Sequence, residues 1–160
     1  MRENAAYGAG SESSDARKRA RTVKILAIDQ GTSATKAVVF GDDREIVTSV
    51  EVPVTPHAVR GGGVEQDPEQ LWESVCAAGR EAVARAGQGI TAVGFANQGE
   101  TVLAWDRTTG RPESAAISWQ DRRAAAICAD MAGVGDDLTR TTGLPLDPYF
   151  AAPKIGRAHV

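Results

Sequence analysis

The chain has 160 residues, of which 42% are hydrophobic and 24% charged, with a formal net charge of -3. That length buries a core without disulfides, and the slightly acidic balance argues against a general nucleic-acid or anionic-membrane role. No run approaches the roughly 18 apolar residues of a membrane helix, and no charged-then-apolar signal peptide is read. Cys76 and Cys128 lack CxxC or Cys/His metal spacing. They are expected as buried free thiols in a reducing cytoplasm.

Residues 1–21 are rich in Ala, Gly, Ser, Glu and Arg without apolar periodicity, and are expected to be a disordered leader. A strand is then predicted over Val23–Gln30, a tight turn at Gly31-Thr32-Ser33, and a second strand over Thr35–Phe40. Glu45–Val54 reads as a third strand ended by Pro53, which makes an antiparallel meander. Thr55–Gly63, with Pro56 and three consecutive glycines, is expected to be a flexible loop. Asp67 is the N-cap candidate of a helix with Pro68 in its first turn and Gln70 as capping-box partner; Gly87 stops it after Ala86. Gly79 interrupts that helix and is expected to mark close packing. Ile90–Ala96 reads as a buried strand, and Val102–Trp105 and Ala115–Trp119 as shorter ones. A helix over Arg122–Met131 and one helical turn over Asp136–Thr142 precede an ordered loop to Phe150. Strands first, then strand and helix alternating, give an α/β domain of mixed sheet type.

Polar clusters fall at three predicted strand ends: Asp29–Ser33, Asn97–Thr101 and Trp119–Arg123. The first combines a carboxylate, a glycine and two hydroxyls, with the Lys36 ammonium close behind. It fits an ordinary glycine-containing hairpin turn. It fits equally a nucleotide-phosphate turn, with backbone N–H groups and hydroxyls as donors and Mg²⁺ between Asp29 and the anion. A Glu carboxylate beside an aromatic face suits a polyol, and Glu100 with Trp119 and Tyr149 would supply one. Taken singly, Asn97–Thr101 reads as a plain turn, Trp119 as core and Arg122-Arg123 as a solvated helix start. Taken together, the clusters point to a ligand site, because ligands of open α/β sheets gather at strand ends.

The stretches LAIDQGTSATKAVVF (Leu26–Phe40), GVEQDP (Gly63–Pro68), FANQGET (Phe95–Thr101), AISWQDRR (Ala116–Arg123) and TGLPLDPYF (Thr142–Phe150) stand in the same order as in the FGGY carbohydrate kinase family. The chain resembles that family, and within it the glycerol kinases, over Val23–Lys154. The resemblance implies a ribonuclease H-like fold of the actin/hexokinase/Hsp70 superfamily, here an incomplete N-terminal domain over residues 22–154. It implies ATP and Mg²⁺ as cofactors, a small polyol or sugar as partner with glycerol favoured, and a possible homo-oligomer at full length. Asp29 matches the acidic position near Mg²⁺, and Thr32, Ser33, Ala34 and Lys36 match phosphate-side positions. Gly99, Glu100, Trp119 and Tyr149 match substrate-side positions. The implied reaction is transfer of the ATP γ-phosphoryl group to a primary hydroxyl.

Three departures bear on that expectation. Lys36 stands where the glycerol kinases carry Arg, which keeps the charge and loses the planar fork. Gly99 stands where they carry an Arg that hydrogen-bonds substrate hydroxyls; losing such a charged donor costs about 1.5–3 kcal/mol of binding. The family's catalytic base is an Asp in a GDQ segment, and this sequence contains no GDQ. No catalytic base is therefore assigned in the chain, with Asp29 supporting, and the segment alone is expected to be inactive. Residues 155–160, IGRAHV, leave the family pattern and coincide with one frame of a common sequencing adapter, so they are expected to be a non-native tail. Two competing classes remain: an actin- or Hsp70-like ATPase without a polyol site, and a fragment with no catalytic activity of its own.

Overall fold

The structure is a computed structural model and describes residues 23–158. The expected leader, 1–21, and the last two residues of the expected tail, 159–160, lie outside the described residues.

The first layer is a sheet of strands β1 (Lys24–Gln30), β2 (Ala34–Phe40), β3 (Ile46–Pro53) and, further along the chain, β6 (Ile90–Asn97), in the order β3-β2-β1-β6. β1, β2 and β3 form the antiparallel meander, and β6 joins β1 in parallel, which makes the sheet mixed. Alternation along β1 puts Leu26, Ile28 and Gln30 on the buried face and leaves Ile25 and Asp29 exposed. Asp29 lies opposite Lys36 in the β1–β2 register, and both are exposed.

Helix α1 (Pro68–Ala86) covers the buried face. Its small residues Ala78, Ala82 and Ala86 meet Leu26, Ile28, Ala37, Val39 and Val50 in one core cluster. Each buried Leu, Ile or Val contributes roughly 1.5–3 kcal/mol. Gly79 is buried too, and a Cβ there would come 3.3 Å from Ile28 Cδ1, so the mid-helix glycine does mark close packing of helix on sheet. Two polar ties fix the helix on the sheet. Ser74 Oγ donates to Leu71 O at 2.7 Å, so Thr35 Oγ1 donates to Ser74 Oγ across the buried 2.6 Å contact. Lys24 Nζ donates to Ala86 O at 2.6 Å and Gln88 O at 3.0 Å, satisfying carbonyls at the helix C-terminus.

Asp67 caps α1 by accepting the Glu69 N–H at 2.9 Å. Gln70 does not close the expected capping box; its Oε1 accepts the Thr55 N–H at 3.0 Å instead and ties down the chain after β3. The expected flexible loop is also corrected. It holds β4 (His57–Val59), paired antiparallel with β5 (Gly63–Gln66), and β5 pairs in turn with β7 (Ala116–Ile117) in a second sheet. Gly61 and Gly62, at φ 75° and 79°, make the left-handed turn between β4 and β5.

β6 is not the buried strand its apolar run predicts. It is the last strand of its sheet, and Val93 and Phe95 are more than 60% exposed. The expected Val102–Trp105 strand reduces to isolated bridges, Val102 with Ile117 and Trp105 with Pro112. The helix expected from Arg122 starts later, as α2 (Ala125–Asp130), because the Arg122 N–H is taken by Gly62 O and a turn closed by the Ala125 N–H on Arg122 O precedes the helix. A 3-10 turn over Ala132–Val134 leads into α3 (Gly135–Thr142), longer than the single turn expected and ended by Gly143 at φ 75°. Helix α4 (Ala151–Ala158) follows, so residues 155–158 of the expected tail continue a helix. Cys128 is buried and free; Cys76 is free and only half-buried.

Candidate active site

The turn Gly31-Thr32-Ser33 leaves the end of β1 and is closed by the Gly31 N–H donating to Ala34 O at 2.9 Å. Ser33 O accepts the Val54 N–H at 2.9 Å, which fixes the turn against the end of β3. The amides of Thr32 and Ser33 and the Ser33 hydroxyl donate to no acceptor among the described residues. Such free donors at a strand-end turn suit an anion. Ala34 begins β2 opposite Pro53, and Lys36 and Asp29 stand across from each other on the open sheet face.

Trp119 is reached through a short path. Its indole Nε1–H donates to Thr32 Oγ1 at 2.8 Å, and its backbone N–H donates to Thr101 Oγ1 at 3.3 Å. The Tyr149 ring meets Trp119 edge-on at 5.6 Å, and Phe150 meets Tyr149 edge-on at 5.0 Å. The aromatic wall thus stands one hydrogen bond from the turn.

Gly99 and Glu100 are both left-handed, at φ 62° and 50°, and the Thr101 N–H closes back on Gly99 O at 2.6 Å. For Glu100 this conformation costs on the order of 1–3 kcal/mol. It brings Glu100 Oε2 to the Ala151 N–H at 2.5 Å, at the start of α4. A Cβ at Gly99 would meet nothing within 4 Å, so the position is open. Beyond Glu100 lies an apolar cavity of about 370 Å³ between α2, α3 and α4, lined by Met131, Leu138, Phe150 and Pro153 among others. Trp119 and Tyr149 are not part of its lining.

Residues to which the motifs assign no role hold this arrangement together. Gln30, Gln66 and Gln98 close a side-chain network behind Thr32. Their place at or next to the ends of β1, β5 and β6 was the available signal. Lys154 is 1% exposed, and its Nζ donates to the carbonyls of Pro148, Tyr149 and Phe150, which fixes the loop that presents Tyr149. Burial pulls its ammonium below the usual lysine range, against the opposing pull of Glu100, Asp121 and Asp147. Asp121, also 1% exposed, accepts the Val64 N–H at 2.9 Å and Arg123 Nε–H at 2.8 Å through Oδ2, and the Arg123 N–H at 2.9 Å through Oδ1. Burial raises its carboxyl, but the bonds from Arg123 and Val64 outweigh that and hold it below the usual carboxylate range. Arg123 completes the cluster by donating to Glu65 at 2.6 Å.

So the structure brings Thr32, Trp119, Tyr149 and Glu100 into one connected region. Asp29 and Lys36 sit on the open sheet face beside the turn, and Gly99 is empty space next to Glu100.

A donor-rich turn at the strand ends of a mixed sheet, backed by an aromatic wall, is the layout of an α/β domain that binds a small polar ligand. The family model for the FGGY family of carbohydrate kinases, N-terminal domain, matches residues 24–156, and the chain belongs to that family. It is 44% identical over 137 residues to a glycerol kinase of Rhodopseudomonas palustris, an alignment spanning 82% of this chain and 27% of the relative. It is 47% identical over 136 residues to a glycerol kinase of Chelativorans, again over 82% and 27%. Among solved structures, a Plasmodium falciparum glycerol kinase with ADP superposes with a TM-score of 0.75 at 29% identity, over 84% of this chain and 28% of that one. The chain therefore spans about a quarter of the length of these relatives. No helix among the described residues is long and apolar enough to cross a membrane.

Proposed function

We propose that this chain is the N-terminal part of an ATP-dependent carbohydrate or polyol kinase that transfers the γ-phosphoryl group to a primary hydroxyl of a small substrate, with glycerol favoured. The observation that carries the reading is the 2.8 Å bond from the Trp119 indole to Thr32, which sets an aromatic wall directly against a turn rich in free N–H donors.

The residues fit ATP and Mg²⁺ by the chemistry of their donor set. The free amides of Thr32 and Ser33, the Ser33 hydroxyl and the Lys36 ammonium would hold phosphate oxygens in the turn that ends at Ala34. The exposed carboxylate of Asp29 would hold Mg²⁺ through water. When bound, ATP supplies the phosphoryl group and Mg²⁺ offsets its charge. On the substrate side, Glu100 Oε1, which no donor among the described residues occupies, accepts from a substrate hydroxyl. Trp119 and Tyr149 cover the carbon skeleton and exclude water. Gly99 widens the site beside Glu100 where the glycerol kinases place an Arg. This segment thus binds and orients, while the proton-accepting group comes from elsewhere in the full-length enzyme. The work is positioning and charge neutralisation. Its setting is the cytoplasm, where Cys76 and Cys128 stay reduced.

The test is an ADP-release assay on the full-length protein with a panel of polyols and pentoses. Turnover of glycerol or a close polyol is expected; no turnover with any member refutes the reading.

A further inference from the structure

We propose that Lys154 is a positioning residue for the substrate side of the site: its ammonium holds the three successive carbonyls that aim Tyr149, from the same helical turn that receives Glu100, so the two substrate groups are set as one unit. The proposal rests on the reading of Glu100, Trp119 and Tyr149 as the polyol-binding side.

The backbone groups around Tyr149 divide into two sets. The amides go to carboxylates and a turn. Tyr149 N–H donates to Asp147 Oδ1 at 2.7 Å, Phe150 N–H to Asp147 O at 3.1 Å, and Ala151 N–H to Glu100 Oε2 at 2.5 Å. Pro148 has no N–H to place. The carbonyls go to one atom: Lys154 Nζ donates to Pro148 O at 2.8 Å, to Phe150 O at 3.2 Å and to Tyr149 O between them. An ammonium carries three protons and accepts nothing, so these carbonyls saturate it. The side chain can reach them because it leaves the first turn of α4 tilted toward the helix N-terminus. The helix backbone cannot take over the Tyr149 carbonyl, since the residue four positions on is Pro153, which has no N–H.

The charge is held from several sides. Burial pulls the Lys154 ammonium down, Glu100, Asp121 and Asp147 offset that, and Arg122 opposes them while donating to Asp147 at 2.8 Å. An apolar side chain at 154 would leave the three carbonyls without this donor. The loop would then turn toward water. That would carry Tyr149 off its edge-on contact with Trp119 and Ala151 off Glu100.

The test uses the full-length protein carrying this segment. Lys154→Met keeps an unbranched stem and removes the donors. Its KM for glycerol is expected to rise about tenfold, one lost hydrogen bond's worth, with kcat and calorimetric ADP affinity within about twofold of the parent. Lys154→Gln keeps two donors on a shorter stem and should show a smaller rise, about threefold; it carries the test if Lys154→Met does not fold. Val39→Ala, a lesion in the core cluster under α1, should lower the melting temperature and leave the glycerol KM alone. An unchanged KM in the Lys154 variants, an equal rise in Val39→Ala, or a loss confined to kcat or shared by ADP binding would overturn the proposal. A second readout needs no turnover: in Lys154→Met the Trp119 indole ¹H–¹⁵N resonance should move toward its position in Tyr149→Leu, where the ring is gone, and in Val39→Ala it should stay in place. An unmoved resonance in Lys154→Met also overturns the proposal. Absence of turnover in the parent protein would instead sink the kinase reading, while the indole resonance still decides whether Lys154 sets Tyr149 against Trp119.

Discussion

Replacing Asp121 by Asn probes the joint between the second sheet and the entry to α2. The carboxylate satisfies three N–H donors with two oxygens: Val64 N and Arg123 Nε on one, Arg123 N on the other. An amide has only one oxygen. If that oxygen keeps Val64 and Arg123 Nε, the new NH₂ faces the Arg123 backbone N–H, donor against donor. Leaving that donor unsatisfied costs about 1–3 kcal/mol. The substitution also removes a charge from a partner pair in which Asp121 is 1% and Arg123 17% exposed. Breaking a buried pair costs about 3–5 kcal/mol, and the low end applies because Glu65 stays on Arg123 at 2.6 Å. The expected loss is about 3 kcal/mol, or a fall in melting temperature of roughly 6–12 °C. Urea unfolding followed by far-UV circular dichroism measures it. Glu65→Gln is the control: Glu65 is 30% exposed and Arg123 keeps Asp121, so about 1 kcal/mol is expected. A loss below about 1 kcal/mol in Asp121→Asn, or an equal loss in both variants, would refute the assignment of Asp121 as the hub.

Because the Asp121 carboxyl is held below its ordinary value, its stabilisation is fully present above an unfolded-state value of about 3.9 and is lost as pH falls through the folded value. Acid unfolding below about pH 4 should therefore be shallower in Asp121→Asn than in the parent chain, and identical slopes would contradict the account. Gly63→Ala places a Cβ 2.4 Å from Val59 Cγ2 and 2.6 Å from Arg123 Nε, so it should destabilise by about 1–3 kcal/mol in the same urea assay. Gly99→Arg enters open space at φ 62° and should cost about 1–2 kcal/mol of stability. In the full-length enzyme it should shift kcat/KM toward glycerol over larger polyols, and an unchanged ratio would separate Gly99 from substrate choice.

How far the sequence reads through to the structure depends on the range of each signal. The β1–β2 hairpin and α1 were legible because alternation, the Asp67 cap and the Gly87 stop are local. The three glycines of the 61–63 run signal mobility by composition, yet two supply left-handed turn positions and Gly63 begins β5. Gln70 has the right spacing for a capping box, but the Thr55 N–H competes for it from outside the helix. The apolar run of β6 signals burial, and what lies on a strand is not written in the strand itself. At the site, motif order nominated Thr32, Glu100, Trp119 and Tyr149, which the fold groups. Gln66, Gln98 and Lys154 carry no local signal of their role, because their partners lie 32 or more residues away or are backbone carbonyls, which leave no mark in side-chain patterns.

The parallel pairing of β1 with β6 sets an order of events during folding. Hairpin β1–β2 closes over a three-residue turn, which takes microseconds. β6 reaches β1 only after β3, the β4–β5 hairpin and α1 have been laid down between them, and long-range pairing of this kind is the slow step. The Gln98 bonds to Gln30, Thr32 and Gln66 form at that closure, so the Gly31–Ser33 turn closes with its hairpin and gains these side-chain anchors last. A lesion on the buried face of α1 would then loosen both the meander it covers and the closure that anchors the turn.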